Sequence, residues 1–214
     1  MKKCILAIVC FLYSAFVINA QVYPDPEFTN EVSYLKKDNT ITAVRLEKNT
    51  SKVETKTKLG GFGGFEYGYI IEGVKSPVRL HPGDLAFIYT TPGTAHHSSL
   101  QTDSIMRAHG VDPSMVAGMS ASMNDPAKSI SFYKVENAKG DRKILMQKSG
   151  GAIPFASKKT KSSDKYTFSV KKIKEGYWEL LVDKPLEKGE YAFTINQSMG
   201  SMDGGITIFA FGID

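Results

Sequence analysis

The residues of this chain best suited to bind a metal are histidines and methionines in its middle third. Three histidines are followed by three methionines at every fourth position: His96, His97, His109, Met115, Met119 and Met123. Imidazole and thioether groups are ligands that suit copper. The pattern predicts a copper site. The alternative is that the histidines are solvated and the methionines are adaptable core packing.

A short helix would have to position the methionines on one face. Asp112-Pro113 is typical of a helix start, with Asp as the cap and Pro in the first turn. Asn124-Asp125-Pro126 is typical of a helix stop. Residues four apart on a helix are neighbours. We therefore expect one short helix in the Met- and Ser-rich connection, residues 91–129.

The rest of the chain has the pattern of β-strands. Short segments rich in β-branched and aromatic residues alternate with Gly, Asn, Asp and Lys, and the alternation is clearest in Ile41–Leu46. This predicts an all-β fold, an antiparallel β-sandwich, as a single domain over residues 21–214. Similar strand and turn units recur in the same order, which suggests two related halves, 34–90 and 130–214. Chance repetition of strand and turn patterns is the alternative.

Neighbouring aromatic residues suggest a platform for sugar rings. Tyr177 and Trp178 are adjacent, and Tyr67 and Tyr69 lie on one face of a predicted strand. Carbohydrate binding by Tyr177 and Trp178 is one prediction. The alternative is that one ring of each pair belongs to the core.

The glycine-rich run 60–65 lacks the Lys-Ser/Thr that ends a phosphate-binding loop. We expect a kinked strand or wide hairpin there, with Phe62 and Phe65 buried. The chain carries no nucleophile elbow, no paired-carboxylate motif and no zinc-protease helix motif. We therefore name no catalytic residue, although a dispersed triad would not be visible in a sequence.

The N-terminus has the layout of a secretory signal peptide, residues 1–20. Two lysines precede an apolar run, and Ala20 is a small residue at the expected cleavage point. We expect a periplasmic, outer-surface or secreted protein without a transmembrane segment after cleavage. Cys4 and Cys10 leave with this peptide, so the mature chain is cysteine-free and has no disulfide.

The charge of the chain does not favour nucleic acid as a partner. Removal of Lys2 and Lys3 lowers the formal net charge from +5 to +3, which is weak basicity. Lysines concentrate in residues 158–174, where we expect them to protect a sheet edge from pairing with other chains. Contact with an anionic surface is the alternative.

Both ends of the chain resemble a group of exported bacterial proteins of unknown function. Lys184–Phe193 and Phe209–Asp214 are similar to the "pLepGEYaF" and "F-x-F-G-[IV]-D" segments that end those proteins, and Tyr23–Asn30 is similar to their opening. The resemblance implies an exported β-rich domain and no particular activity. The function predicted is a non-catalytic binding or assembly module of the cell envelope, whose partner is a protein or glycan. Copper binding and carbohydrate binding are the alternatives.

Overall fold

The computed structural model describes residues 23–57, 64–83, 85–91, 107–110, 112, 125–150, 160–195 and 205–214. These residues form antiparallel sheets and one short helix, so the predicted all-β fold is confirmed. In this described part of the chain, no helix is long and apolar enough to cross a membrane. In chain order the elements are β1 (Glu31–Lys37), β2 (Ile41–Arg45), β3 (Glu47–Ser51), β4 (Val53–Thr57), β5 (Gly64–Ile71), β6 (Arg79–Leu80), β7 (Ala86–Thr90), α1 (Pro126–Ser129), β8 (Ile130–Ala138), β9 (Asp141–Gly150), β10 (Thr160–Lys161), β11 (Lys165–Tyr166), β12 (Phe168–Lys174), β13 (Tyr177–Val182), β14 (Gly189–Ile195) and β15 (Ile206–Ile213).

The strands form two sheets. The first has the order β12-β13-β7-β1-β2, with every neighbouring pair antiparallel. The second has the order β3-β15-β14-β8-β9-β5-β4, while β10 pairs with β9, β11 with β8, and β6 runs parallel to β15. In the first sheet β12 and β2 are therefore the edge strands.

The second sheet curls until its two ends meet. Strands β3 and β4 stand at opposite ends of the order, yet Lys52 alone separates them in the chain. The backbone N–H of Ile70 on β5 donates to Ser51 Oγ on β3 at 3.1 Å, which ties the two ends together. We call this sheet the curled sheet and its concave side the interior.

The main core lies between the two sheets. Phe87 on β7 contacts Phe193 on β14 at a ring-centroid distance of 4.8 Å and Phe211 on β15 at 5.1 Å. All three rings are fully buried. Burial of a phenylalanine side chain contributes about 1.5–3 kcal/mol, so this cross-sheet cluster is a large part of what holds the sheets together.

The terminal strand β15 is an inner strand of the curled sheet, next to the end strand β3. It pairs with β14 on one side and β3 on the other, and all eight of its residues are buried. Phe209 and Phe211 point into the main core, whereas Ile208 and Ala210 point into the interior. Burial on both faces explains the continuous apolar run at the end of the chain.

The two predicted halves are interleaved. Strand β7 returns to pair with β1, and β14 returns to pair with β8, so these two strands occupy corresponding places. By this comparison the counterpart of β8 in the first half is β1. The sequence pattern favoured residues 41–46 instead. Each sheet also contains strands from both halves. A duplication therefore stays a prediction. If the two halves are related, β1 rather than β2 is the counterpart of β8.

The only helix described in full is one turn long. Asp125 caps it, because its Oδ1 accepts a hydrogen bond from the Ala127 N–H at 3.0 Å, and Pro126 occupies the first turn. The sequence predicted a helix end at Asn124-Asp125-Pro126, which the described residues do not test. The same Asp-Pro pair caps a helix that begins there. The predicted helix between Asp112 and Asn124 falls outside the described residues.

Candidate functional site

Most of the predicted copper ligands lie outside the described residues. These are His96, His97, Met115, Met119 and Met123. His109 is described and exposed. Among the described residues, no group of three or more His, Cys, Asp or Glu side chains is arranged to hold a metal. Copper binding therefore stays a prediction.

Tyr177 and Trp178 lie on opposite faces of β13. Tyr177 is 1% exposed on the outer face of the first sheet, where its ring contacts Tyr23 and its hydroxyl donates to the Pro24 carbonyl at 2.7 Å. Trp178 points to the main core and stacks on Tyr89 at 6.0 Å. The two rings therefore do not form one platform for a sugar, because adjacent strand residues point to opposite sides.

The two edges of the first sheet differ in composition. Edge strand β12 carries three exposed lysines, Lys171, Lys172 and Lys174, so the predicted protection of an edge by lysines fits this strand. Edge strand β2 has the sequence Ile-Thr-Ala-Val-Arg and no lysine. Within the described residues β2 pairs with β1 alone, and Val44 on it is 36% exposed. Such an edge presents unpaired backbone N–H and C=O groups, and Arg45 is the one charged residue of this strand.

A cleft of about 550 Å³ lies beside the inner face of β2. Its apolar wall comes from strands β1 and β2, from residues 78–83 and from Leu85, and contains Tyr34, Val44, Val78, Leu80 and Leu85. The polar side chains that line it are Lys36, Asp38, Arg79 and His81. Lys36 Nζ pairs with Asp38 Oδ2 at 2.7 Å, so this pair offers little net charge to a ligand. The cleft therefore suits apolar side chains next to a free strand edge.

A buried ionic network fixes the wall of the cleft that residues 78–83 provide. Arg142 on β9 is 1% exposed and donates to both carboxylate oxygens of Glu47, at 2.6 and 2.8 Å. It also donates to the carbonyls of Glu72 and Gly73, at 2.8 and 2.9 Å. These bonds hold residues 72 and 73, which follow β5, across one end of the interior. The same segment continues to residues 78–83, which line the cleft.

Glu190 is the second anchor of that segment. Its carboxylate accepts the Ser76 backbone N–H at 2.9 Å, and the Arg79 guanidinium bonds to it on the other side. Arg79 also pairs with Asp214 at 2.7 Å, which joins the last residue of the chain to the same network. The buried Glu190, the partly buried Glu47 and two arginines thus determine where the 78–83 wall lies.

Charge and burial act against each other on Glu47. Burial raises the pKa of this carboxyl, but hydrogen bonds from Arg142, Ser76 and Asn49 outweigh that effect and lower the pKa below its usual value. Glu47 is therefore ionised at neutral pH, as its bidentate pair with Arg142 requires.

A larger groove, about 790 Å³, lies on the outer face of β4, β5 and β9. Its floor contains Lys143, whose side chain is 5% exposed and whose Nζ lies 2.6 Å from Glu66 Oε1. Lys148 Nζ lies 3.0 Å from the other oxygen of Glu66. Hydrogen bonds from these two lysines lower the pKa of Glu66 to about 2. The acidic and basic groups of the groove floor satisfy one another, so we assign this groove a structural role.

The ion pairs of Glu66 make stability depend on acid pH. The pKa of a Glu in the unfolded chain is about 4.3, above the folded value. The stabilisation is therefore complete above the unfolded value and is lost as the pH falls towards about 2. We expect the urea midpoint of the wild type to fall more steeply between about pH 5 and pH 2 than that of Glu66→Gln.

The matched control for this experiment is Glu54→Gln. Glu54 forms an exposed pair with Lys56 at 3.4 Å on the neighbouring strand, and such pairs contribute little. Its curve should run parallel to the wild-type curve. Parallel curves for Glu66→Gln and the wild type would contradict the assignment of Glu66.

Sequence reasoning found β2 as a strand but not as the free edge of a sheet. Whether a strand lies at the edge of a sheet depends on which strands pair with it. The local amino-acid composition does not determine this pairing. The one signal that was present is the contrast in lysine content between Ile41–Arg45 and residues 168–174. The Arg142–Glu47 pair was also missed, since 95 residues separate its members.

Comparisons with known proteins find no match for this chain among protein-family models, curated proteins or solved structures. The function is therefore argued from the geometry of the described residues.

Proposed function

We propose that this protein is a non-catalytic binding or assembly module of the cell envelope, exported by its signal peptide. In this proposal it binds an extended segment of another protein along the free edge of β2. The observation that carries the proposal is the lysine-free strand β2, which among the described strands pairs with β1 alone and lies next to an apolar cleft. The layout of residues 1–20 supports export.

Strand addition explains why the edge and the cleft occur together. A peptide that pairs with β2 forms backbone hydrogen bonds along the edge, and every second side chain then points to the inner face of the sheet. On that face Val44 lies opposite Tyr34, and both line the cleft. Backbone pairing supplies affinity, while the cleft selects large apolar side chains at alternate positions.

A partner protein fits the cleft better than a second copy of this chain does. A second copy would pair through its own β2 edge and present Thr42 and Val44 on the inner face. These two short side chains fill little of a volume of about 550 Å³. We therefore favour a partner segment with Leu, Ile or Phe at alternate positions.

The proposal predicts that a lysine at position 44 abolishes peptide binding. Val44→Lys places a charge in the apolar cleft and gives β2 the lysine protection that β12 has. The probe is an immobilised library of ten-residue peptides in which every second residue is Leu, Ile, Val or Phe. We expect the mature wild type to bind a subset of this library and Val44→Lys to lose at least about tenfold in affinity, because a lysine ammonium in an apolar cleft is strongly disfavoured.

Val74→Lys is the matched control. Val74 is 53% exposed in the segment after β5 and does not line the cleft, so this variant should bind like the wild type. If the wild type self-associates and Val44→Lys does not, the segment that pairs with β2 is a second copy of this chain. Failure of the wild type to bind any peptide, or equal loss in both variants, would contradict strand addition at β2.

A further inference from the structure

Four aromatic side chains gather in the interior of the curled sheet. Phe65, Tyr67 and Tyr69 alternate along β5 and therefore share the interior face with Ile71. Tyr133 on β8 packs with Tyr69 against the same apolar cluster. We call these four residues the aromatic cluster. The rings of Phe65 and Tyr67 are nearly parallel, with centroids 6.3 Å apart and planes 13° apart.

The aromatic cluster lies away from the end of the interior that the Arg142 network closes. Strand β5 runs from Gly64 to Ile71, and Ile71 is the residue that pairs with Arg142 on β9. Phe65 lies near the start of this strand, is 38% exposed and also borders the outer groove, and the three tyrosines are partly exposed. Solvent therefore reaches the cluster. The sequence predicted that Phe65 is buried, and this was wrong because Phe65 lies at the outer end of β5.

The tyrosine hydroxyls of the cluster lack hydrogen-bond partners within the described part of the chain. Neither Tyr67, Tyr69 nor Tyr133 hydrogen-bonds through its hydroxyl to any residue that the structure describes. Three other tyrosines do so: Tyr23 to Glu179 at 3.0 Å, Tyr177 to Pro24 at 2.7 Å and Tyr191 to Glu187 at 2.8 Å. Burial, and then the neighbouring Tyr133 and Tyr67, raise the pKa of Tyr69, which keeps that hydroxyl neutral. A neutral phenol both donates and accepts hydrogen bonds.

On β4 and β9 the side chains that face the cluster carry no charge, whereas Lys165 on β11 lies opposite Tyr133. Thr55, Thr57 and Gln147 lie directly opposite cluster residues on β4 and β9 and therefore share their face. The charged neighbours on these strands, Glu66 and Lys148, point to the opposite face and pair with each other. The facing positions on β4 and β9 therefore offer no counter-ion to a charged ligand.

We propose that the aromatic cluster binds a neutral sugar unit of a glycan. Near-parallel rings offer flat faces for the C–H face of a pyranose, and three phenol hydroxyls match its hydroxyl groups. A purely apolar ligand would desolvate those hydroxyls without replacing their hydrogen bonds, which is unfavourable. This site is separate from the β2 edge and goes beyond the proposed peptide binding.

The test is affinity electrophoresis of the mature protein in native gels. The gels contain xylan, mannan, dextran or mixed-linkage β-glucan, and polygalacturonate serves as the anionic comparison. At least one neutral polysaccharide should retard the wild type. Phe65→Ala should weaken that binding about tenfold through loss of a stacking face, and Tyr67→Phe about threefold to tenfold through loss of one hydroxyl.

Phe28→Ala is the matched control, because Phe28 is an aromatic residue of similar exposure, 40%, outside the curled sheet. It should bind like the wild type, and so should Val44→Lys, since the two proposed sites are independent. Tyr67→Phe decides the outcome if Phe65→Ala does not fold. Lack of retardation by every neutral polysaccharide, retardation by polygalacturonate alone, or unchanged binding by Tyr67→Phe would overturn the proposal.

Discussion

Replacement of Arg142 by methionine should lower the free energy of unfolding by about 3–5 kcal/mol, the usual result of removing one partner of a buried ion pair. Methionine fills much of the same volume but leaves the Glu47 carboxylate without its bidentate partner. It also leaves the carbonyls of Glu72 and Gly73 without a donor. Urea unfolding of the mature protein at neutral pH measures the effect.

Arg45→Met is the matched control for Arg142→Met. Arg45 also pairs with a buried glutamate, Glu31, at 3.1 Å, but its own side chain is 51% exposed. Lys48 remains as a second partner of Glu31 at 2.7 Å. We expect this variant to lose about 1 kcal/mol or less. Equal losses in the two variants would show that the Arg142 network does not hold the segment that leads to the cleft.

Gly68→Ala should be the second strongly destabilising substitution. A Cβ atom at position 68 would lie 2.2 Å from the Ile144 carbonyl oxygen and 3.1 Å from Lys143 Cε. The neighbouring backbone of β9 must move to accept it, and the register between β5 and β9 already shifts at this point. We expect a loss of about 1–3 kcal/mol, the range found when cores are overpacked.

Gly150→Ala provides the comparison for Gly68→Ala. Gly150 lies on β9 in the same strand pair, and a Cβ atom there meets nothing within 4 Å. Its unfolding midpoint in urea should stay close to that of the wild type. A Gly68→Ala protein as stable as Gly150→Ala would contradict the close approach of β5 and β9.

Local patterns predicted individual strands well because alternation and turn residues act over a few positions. The alternation in Ile41–Leu46 predicted a strand, and β2 covers Ile41–Arg45. The long-range pairing was out of reach. That β3 and β4 join opposite ends of one sheet depends on contacts between distant segments, which short periodic patterns do not encode.

The separation of Tyr177 and Trp178 has a simple physical cause. Tyr177 and Trp178 are adjacent on a strand, and a period of two already places adjacent residues on opposite faces. The spacing of Tyr67 and Tyr69 gave the better indication of a shared surface, which Phe65 and Tyr133 extend. Asp125-Pro126 was assigned to a helix end, although Asp followed by Pro is equally a start signal.

Hydrogen exchange of the β2 amides tests the central claim most directly. The mature protein is measured alone and with the library peptide that it binds most tightly. If a peptide strand adds to β2, exchange should slow within Ile41–Arg45 and stay unchanged within Phe168–Lys174 at the lysine-protected edge. Unchanged exchange within Ile41–Arg45 when the peptide is bound would contradict the claim that this edge is the binding site.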